Sequence, residues 1–362
     1  MESPINYFKN LVEPRIERCK LHLFDEIIFL TIAAVISGAD NFVEIEWFGN
    51  KKKDWLLTFL KFENGIPSHD TIGKLFARID AKEFEKCFIE WVQSVVELTK
   101  GQVIAIDGKT LRGSSSLTNG KKAIHMVSAF ASANQVVLGQ LACEEKSNEI
   151  TAIPALLELI VVKGCIVTID AMGCQTSIAE KIIEREADYI LAVKDNQKKL
   201  HNEIREMFFL HKSESFETLE KSHGRIETRN CSLLKNLKKM NGTARWSELK
   251  SIVKIETKQE INGMVSEETR YYISSLDITA EKMNACVRAH WCVETKLHWI
   301  LDVSFKEDAN RTRTDNAAEN LSIVRRIALN LLKAESTMKV GIAAKRKAAG
   351  WNTDYLQSIL NL

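Results

Sequence analysis

Two stretches decide how this chain reads: Val103-Ile104-Ala105-Ile106-Asp107 and Ile166-Val167-Thr168-Ile169-Asp170. Each is a run of four apolar or β-branched residues ending in an aspartate, the composition of a buried strand. An ionised carboxylate is costly among apolar neighbours, so each aspartate is expected to face solvent, a cation or a hydrogen-bond donor. In an open α/β sheet, functional groups gather where strands end and loops begin. Two such acids on neighbouring strands repel each other unless a cation bridges them. Each also has a plainer reading: Asp107-Gly108 as a turn dipeptide, and Asp170 as the cap of the helix that follows.

Around these stretches the chain alternates in a way that sets the fold class. After the first run come strand patterns at His125 to Ala131 and Gln135 to Leu141, separated by Ser-Ala-Asn and read as a hairpin. A helix is expected from Asn148 to Ile160, then the second run, a helix from Gln175 to Arg185, a strand from Tyr189 to Val193, and a helix from Lys198 to Phe209. Three strands in a meander followed by two alternating with helices predict a mixed five-stranded sheet with helices on both faces, the ribonuclease-H-like arrangement.

The flanks differ. Residues 1–99 read as a compact helical domain: Phe24 to Ser37 is apolar and stops at Gly38, cap-type residues precede Thr71 to Ile79, and Phe84, Phe88, Trp91, Val92 and Val95 recur at helical spacing. Residues 100–340 hold the α/β domain, interrupted at about 212–278 by a β-rich insertion with strands at Arg225 to Leu233, Glu248 to Thr257 and Thr269 to Ser274 and a turn at Asn262-Gly263. Glu281 to Val303 reads as one long helix or two, Asn316 to Leu332 as another, and 341–362 as a C-terminal tail.

Hard oxygen donors without a His/Cys cluster favour Mg2+ or Mn2+, and a pair of such ions can stabilise both the attacking and leaving oxygens of a phosphoryl displacement. Two carboxylates under-ligate such a pair, so a third acid is expected from a helix beside the strands. Glu294, His298 and Asp302 lie four apart and therefore on one face. Glu294 and Asp302 are two turns apart, so one of them and not both would join the site, and spacing alone does not choose.

Composition narrows the class. The formal net charge of +2 hides an excess in the segment from Lys306 to Lys347, where ten Lys/Arg face five Asp/Glu, a pattern suited to a polyanionic partner or to a solvated helical surface. None of the eight cysteines forms a C-x-x-C pair, which argues against structural zinc, and reduced thiols in the cytoplasm are the default. No signal peptide is read in Met1 to Lys20, and the longest apolar run, Ile27 to Ile36, is too short to span a membrane.

Several motifs together resemble the DDE transposases of insertion sequences, in particular the ISAs-type group with the H-repeat-associated proteins. They are Gly65-Ile-Pro-Ser-His-Asp70, Asp107-Gly-Lys-Thr-Leu-Arg112, Asp170-Ala-Met-Gly-Cys-Gln175, Ala192-Val-Lys194-Asp-Asn196-Gln197, His223-Gly-Arg225-Ile-Glu-Thr-Arg229, His290-Trp-Cys-Val-Glu294, Leu301 to Ala309 and Asn316 to Asn320. The resemblance implies a ribonuclease-H-like core with Asp107, Asp170 and Glu294 as the catalytic, metal-holding acids, served by Mg2+ or Mn2+, two ions being expected. It implies hydrolysis of a phosphodiester at the element's end and attack of the freed 3′-hydroxyl on target DNA. Lys109, Arg112, Lys194, Arg225, Arg229 and His290 become the candidate contacts to DNA phosphates. Double-stranded DNA is the implied partner, a homodimer on DNA the implied assembly, and the cytoplasm, with association to the nucleoid, the implied location. The alternatives are a DNA-binding nuclease that cuts without joining, a domesticated relative inactive in transposition, and a carboxylate-metal hydrolase for small phosphates.

Overall fold

The computed structural model describes residues 3–9, 11–115, 120, 122–143, 149–222 and 224–361; His223, Asn148 and part of the loop after the first long strand lie outside them. The meander is β1 (Val103–Leu111), β2 (Ile124–Ala131) and β3 (Val136–Cys143), antiparallel throughout. Helix α7 (Glu149–Leu159) leads to β4 (Ile166–Ile169), which lies parallel to β1, and α8 (Thr176–Glu184) leads to β5 (Asp188–Val193), parallel to β4. Helix α9 (Lys198–Leu210) follows. All five expected strands are present, with the expected directions.

The sheet does not stop there. Strands β6 (Glu214–Ser222), β7 (Arg225–Leu234), β8 (Ser251–Ile261) and β9 (Met264–Ser274) continue it in the order β3-β2-β1-β4-β5-β9-β8-β7-β6. The expectation of a five-stranded sheet with a separate insertion is therefore corrected: β9 pairs antiparallel with β5, so the inserted hairpins extend one nine-stranded sheet. Asn262 and Gly263 both have positive φ (50° and 78°), as a two-residue hairpin turn with the twist of its strands requires. Strand β6, Glu-Ser-Phe-Glu-Thr-Leu-Glu-Lys-Ser, escaped sequence reading because its charges mask any alternation; an exposed edge strand gains from such charges, which discourage pairing with another chain.

The opposite edge, β3, is covered by helices. Helices α1 (Ile5–Phe8), α2 (Phe24–Ile36), α3 (Phe42–Lys51), α4 (Lys53–Leu56), α5 (His69–Arg78) and α6 (Ala81–Val95) form the N-terminal part. Helices α10 (Ala280–His290), α11 (Trp299–Ser304), α12 (Ala317–Ala334), α13 (Ile342–Trp351) and α14 (Thr353–Leu360) follow the sheet, so the segment read as a tail is helical, with Leu356, Ile359 and Leu360 buried. One apolar cluster runs through the N-terminal helices, the sheet and α12. Helix α12 is buried on nearly every side, and several of its polar side chains bond to neighbouring elements. The Asn330 amide accepts the Val137 N–H and donates to the Val137 carbonyl, both at 2.9 Å, standing in for a neighbouring strand at the β3 edge. Glu85 of α6 accepts the Gln140 N–H of the same edge at 2.8 Å. Among the described residues no helix is long and apolar enough to cross a membrane.

Replacing Asn330 with Ala would leave a buried donor and acceptor of β3 unpaired. Asn330→Ala is expected to lower stability by about 2–4 kcal/mol in urea denaturation, with the m-value unchanged.

Candidate active site

Asp107 and Asp170 meet through strand register. Strands β1 and β4 run parallel, and their last paired residues are Ile106 and Ile169, so each aspartate is the next residue on adjacent chains, roughly 5 Å apart in the backbone. Asp107 is not at a strand end, as the sequence suggested: β1 continues to Leu111 against β2, with Asp107 opposite Ser128. The turn reading of Asp107-Gly108 is thereby excluded. Asp170 does end its strand. Its Oδ1 accepts the backbone N–H groups of Met172 (3.0 Å) and Gly173 (3.4 Å), holding the bend before α8 and not capping α8 itself.

Gly108 has a steric reason. A Cβ built there would lie 2.3 Å from Glu149 Oε1 and 2.4 Å from His125 Nε2. These two buried side chains pair at 2.5 Å, and His125 Nδ1 is 2.9 Å from the Thr110 hydroxyl. The pair fills the space a side chain at 108 would need. Sequence reading missed Glu149, since nothing in its surroundings marks it; the β2–β3 hairpin and α7 carry it back beside β1.

Both candidates for a third acid, Glu294 and Asp302, lie on the helix from residue 280 to 304, which is not continuous. Between α10 and α11, residues Glu294–His298 form a π turn, with the Trp299 N–H bonded to the Glu294 carbonyl. The sequence explains why. Val293, Leu297, Leu301 and Phe305 are all fully buried and spaced by four. In an α-helix each step of four overshoots a full turn by about 40°, so three steps would swing the stripe by about 120°. One widened turn absorbs an additional residue and returns most of that, keeping the apolar stripe inward. It also aligns the polar positions. His298 Nδ1 stands 3.4 Å from Asp107 Oδ2, and Asp302 Oδ1 stands 2.7 Å from Lys109 Nζ. Four helical residues advance about 6 Å and two strand residues about 6.6 Å, so the helix matches β1 rung for rung. Glu294 is exposed, one turn before His298.

Burial, then the negative charge of Asp170 and, to a smaller extent, of Glu294 and Glu149, raises the Asp107 carboxyl to about 7. Asp107 thus feels both other acids. Among the described residues, however, no three His, Cys, Asp or Glu side chains are already gathered as a metal-holding group. His298 is pushed down to about 3 by burial and by the charges of Arg326 and Lys109, and His290 to about 4 by burial, so both are neutral near pH 7.

The candidate phosphate contacts fall into different settings. Lys109 is 7% exposed and held by Asp302, Asp308 (2.8 Å) and Glu307 (3.7 Å), so it faces protein. His290 is buried, with Nδ1 2.9 Å from the Thr168 hydroxyl of β4. Arg229 is mostly buried beside Glu227, and Arg225 is exposed but also paired with Glu227. Arg112 is 83% exposed, with Nε 3.5 Å from Asp308, and Lys194, just past β5, is exposed and lines a cavity with Asp170. The basic segment after Lys306 is also partly internal: Arg325, Arg326, Lys345 and Arg346 are buried, the last three in ion pairs with Glu307, Glu335 and Asp40.

Residues 98–331 match the family model "Transposase DDE domain", and residues 5–92 match its companion, "DDE_Tnp_1-associated". The chain belongs to the DDE transposase family. The Escherichia coli O157:H7 protein YncI, named as a candidate transposase, is 45% identical over 99% of this chain and 95% of its own length. The H repeat-associated protein YhhI of Escherichia coli K12, named likewise, is 43% identical over 94% of this chain and 92% of its own. A solved piggyBac transposase synaptic complex with hairpin DNA covers 98% of this chain and 76% of that one, at 11% identity and a TM-score of 0.41, too low to carry weight.

Two predictions follow for this transposase from the packing around Asp107. Gly108→Ala forces the His125–Glu149 pair apart and is expected to cost about 1–3 kcal/mol in thermal or chemical unfolding, with DNA cleavage lost beyond what unfolding explains. Lys109→Met leaves Asp302 without its cation and removes one from Asp308 and Glu307, which keep Arg112 and Arg326; it should cost roughly 3 kcal/mol while leaving DNA affinity unchanged, and Lys109→Arg should recover most of the stability. A Lys109→Met protein of normal stability and weakened DNA binding would restore Lys109 as a phosphate contact.

Proposed function

We propose that this transposase cuts and joins DNA through Asp107, Asp170 and Glu294 on a ribonuclease-H-like core formed by β1–β5. The observation that carries the reading is the register of β1 and β4, which sets Asp107 and Asp170 side by side at the end of their parallel pairing. The like charges felt by Asp107 support a site built for a cation, since a carboxyl raised to about 7 by burial and its acidic neighbours is unfavourable as an anion on its own. The donor set, all carboxylate oxygen, fits Mg2+ or Mn2+, and two such ions would supply charge stabilisation at the attacking and leaving oxygens.

The chain's own groups do the positioning. Asp107 is stiffened by its place inside β1 and by neutral His298 at its flank. Asp170 is oriented by two backbone N–H groups. Glu294, on the widened turn, is the acid free to approach, whereas Asp302 is already committed to Lys109. This favours Glu294 over Asp302. His290, bonded to Thr168, ties the end of α10 to β4 and is better suited to positioning than to phosphate contact. Lys194 and Arg112, exposed beyond the ends of β5 and β1, are the better placed of the phosphate contacts. The homodimer on DNA remains part of the proposal by family resemblance.

The test is a set of single variants on duplexes carrying the element's ends. Asp107→Asn, Asp170→Asn and Glu294→Gln should each abolish Mg2+-dependent cleavage and strand transfer, with duplex affinity within about threefold of wild type. Asp302→Asn should retain measurable cleavage once its lower stability is allowed for. Full activity in Glu294→Gln with none in Asp302→Asn would overturn the assignment. Strand transfer from pre-cut ends separates a transposase from a nuclease that only cuts.

A further inference from the structure

One large cavity among the described residues is lined by none of Asp107, Asp170 and Glu294. It is a cleft of about 840 Å³ between α5, the turn into α3, and the segment 306–315. We propose that this cleft grips the backbone of the DNA duplex that flanks the cut, so that the N-terminal helices and the 306–315 segment form one phosphate-binding track leading away from Asp107. The proposal rests on the transposase reading of the acids.

Charge favours this occupant. Lys74 and Arg78 lie four apart on α5, on one face, and with Arg311 from the opposite wall they are exposed and have no ion-pair partner among the described residues. The acids of the lining are mostly spoken for. Asp40 is held by Arg346 at 3.0 Å and lies 3.7 Å from Lys306, while the Glu44 carboxylate accepts the Asp40 N–H (2.7 Å) and the Asn41 side-chain N–H (2.8 Å). Asp70 is exposed, with His69 Nε2 at 3.7 Å. Unpartnered cations facing a cleft are what a phosphate backbone neutralises, with release of its counterions.

The cleft is joined to the site by β1. The strand runs on from Asp107 to Leu111, and Arg112 follows it. Arg313 Nε donates to the Gly113 carbonyl at 3.1 Å, and Arg112 Nε is 3.5 Å from Asp308. Gly113 lets the two segments touch: a Cβ there would lie 2.0 Å from the Asn310 carbonyl oxygen. Five strand residues from Asp107 to Arg112 span about 17 Å, so the segment lining the cleft meets the end of β1 that far along the strand from Asp107.

The experiment is a salt titration of binding by the full chain to a duplex of generic sequence, read by fluorescence anisotropy. The triple variant Lys74→Ala, Arg78→Ala, Arg311→Ala changes only exposed, unpartnered side chains. It should lower affinity at low salt by more than about tenfold and reduce the slope of log K against log salt by roughly 2–3, since each lost phosphate contact contributes about 0.9. The control Lys238→Ala, Lys239→Ala, Lys282→Ala removes the same charge elsewhere and should leave the slope unchanged. An unaltered slope in the cleft variant, or an equal fall in the control, overturns the cleft and leaves the transposase reading standing. Failure of the unmodified protein to bind any duplex overturns both.

Discussion

The ion pair between Arg326 of α12 and Glu307 is the constraint on which the rest of the architecture depends. Both side chains are fully buried, with Nη1 to Oε1 at 2.8 Å. Burial alone would raise Glu307, yet the charges of Arg326, Arg325 and Lys109 hold it down, at about 2. A buried charge tolerates little displacement of its partner, because the desolvation cost is offset only while the contact is kept. Glu307 therefore ties three elements at once: α12, which packs on the N-terminal helices, the segment after α11, and β1 through Lys109. The Lys109–Asp302 contact extends the tie into α11. The helix that carries Glu294 is thus anchored two turns away, where Asp302 meets Lys109 of β1.

The fold was largely legible in the sequence. The two strand runs ending in Asp107 and Asp170, the hairpin after β1 and the alternation of helix and strand up to α9 each rest on local pattern, and local pattern is what periodicity reports. What escaped is non-local. Strand β6 has no apolar alternation, helix α3 (Phe-Val-Glu-Ile-Glu-Trp-Phe-Gly-Asn-Lys) mixes charge with bulk, and nothing in β9 announces that its partner is β5. The β-rich segment was therefore recognised as strands but not as part of the sheet.

The site was legible to a different depth. Residue type and strand context pointed to Asp107 and Asp170, but a lysine or arginine in a motif carries no mark of whether it meets solvent or a carboxylate. Lys109 and Arg112 stand three residues apart; one is clamped among three acids and the other projects into solvent. The same ambiguity runs through the basic stretch after Lys306, where counting charges treats buried Arg326 and Arg346 like exposed Arg311. Glu149 and His298 sit beside Asp107 because of tertiary packing, and only His298 had a sequence signal, its spacing of four from Glu294.

That spacing carries the last step. A four-residue repeat does not fit an α-helix, and residues 293–305 carry two of them, one apolar and one polar, offset by a single position. An undistorted helix could keep neither Phe305 nor Asp302 on its proper face. The π turn resolves both at once, and it falls on the residues that begin with Glu294. Single widened turns of this kind inside α-helices frequently fall at functional sites. The neighbours of this one are pinned, by His290 to β4 on one side and by Asp302 to β1 on the other. Glu294, the candidate third acid, thus sits on the widened turn between those two anchors.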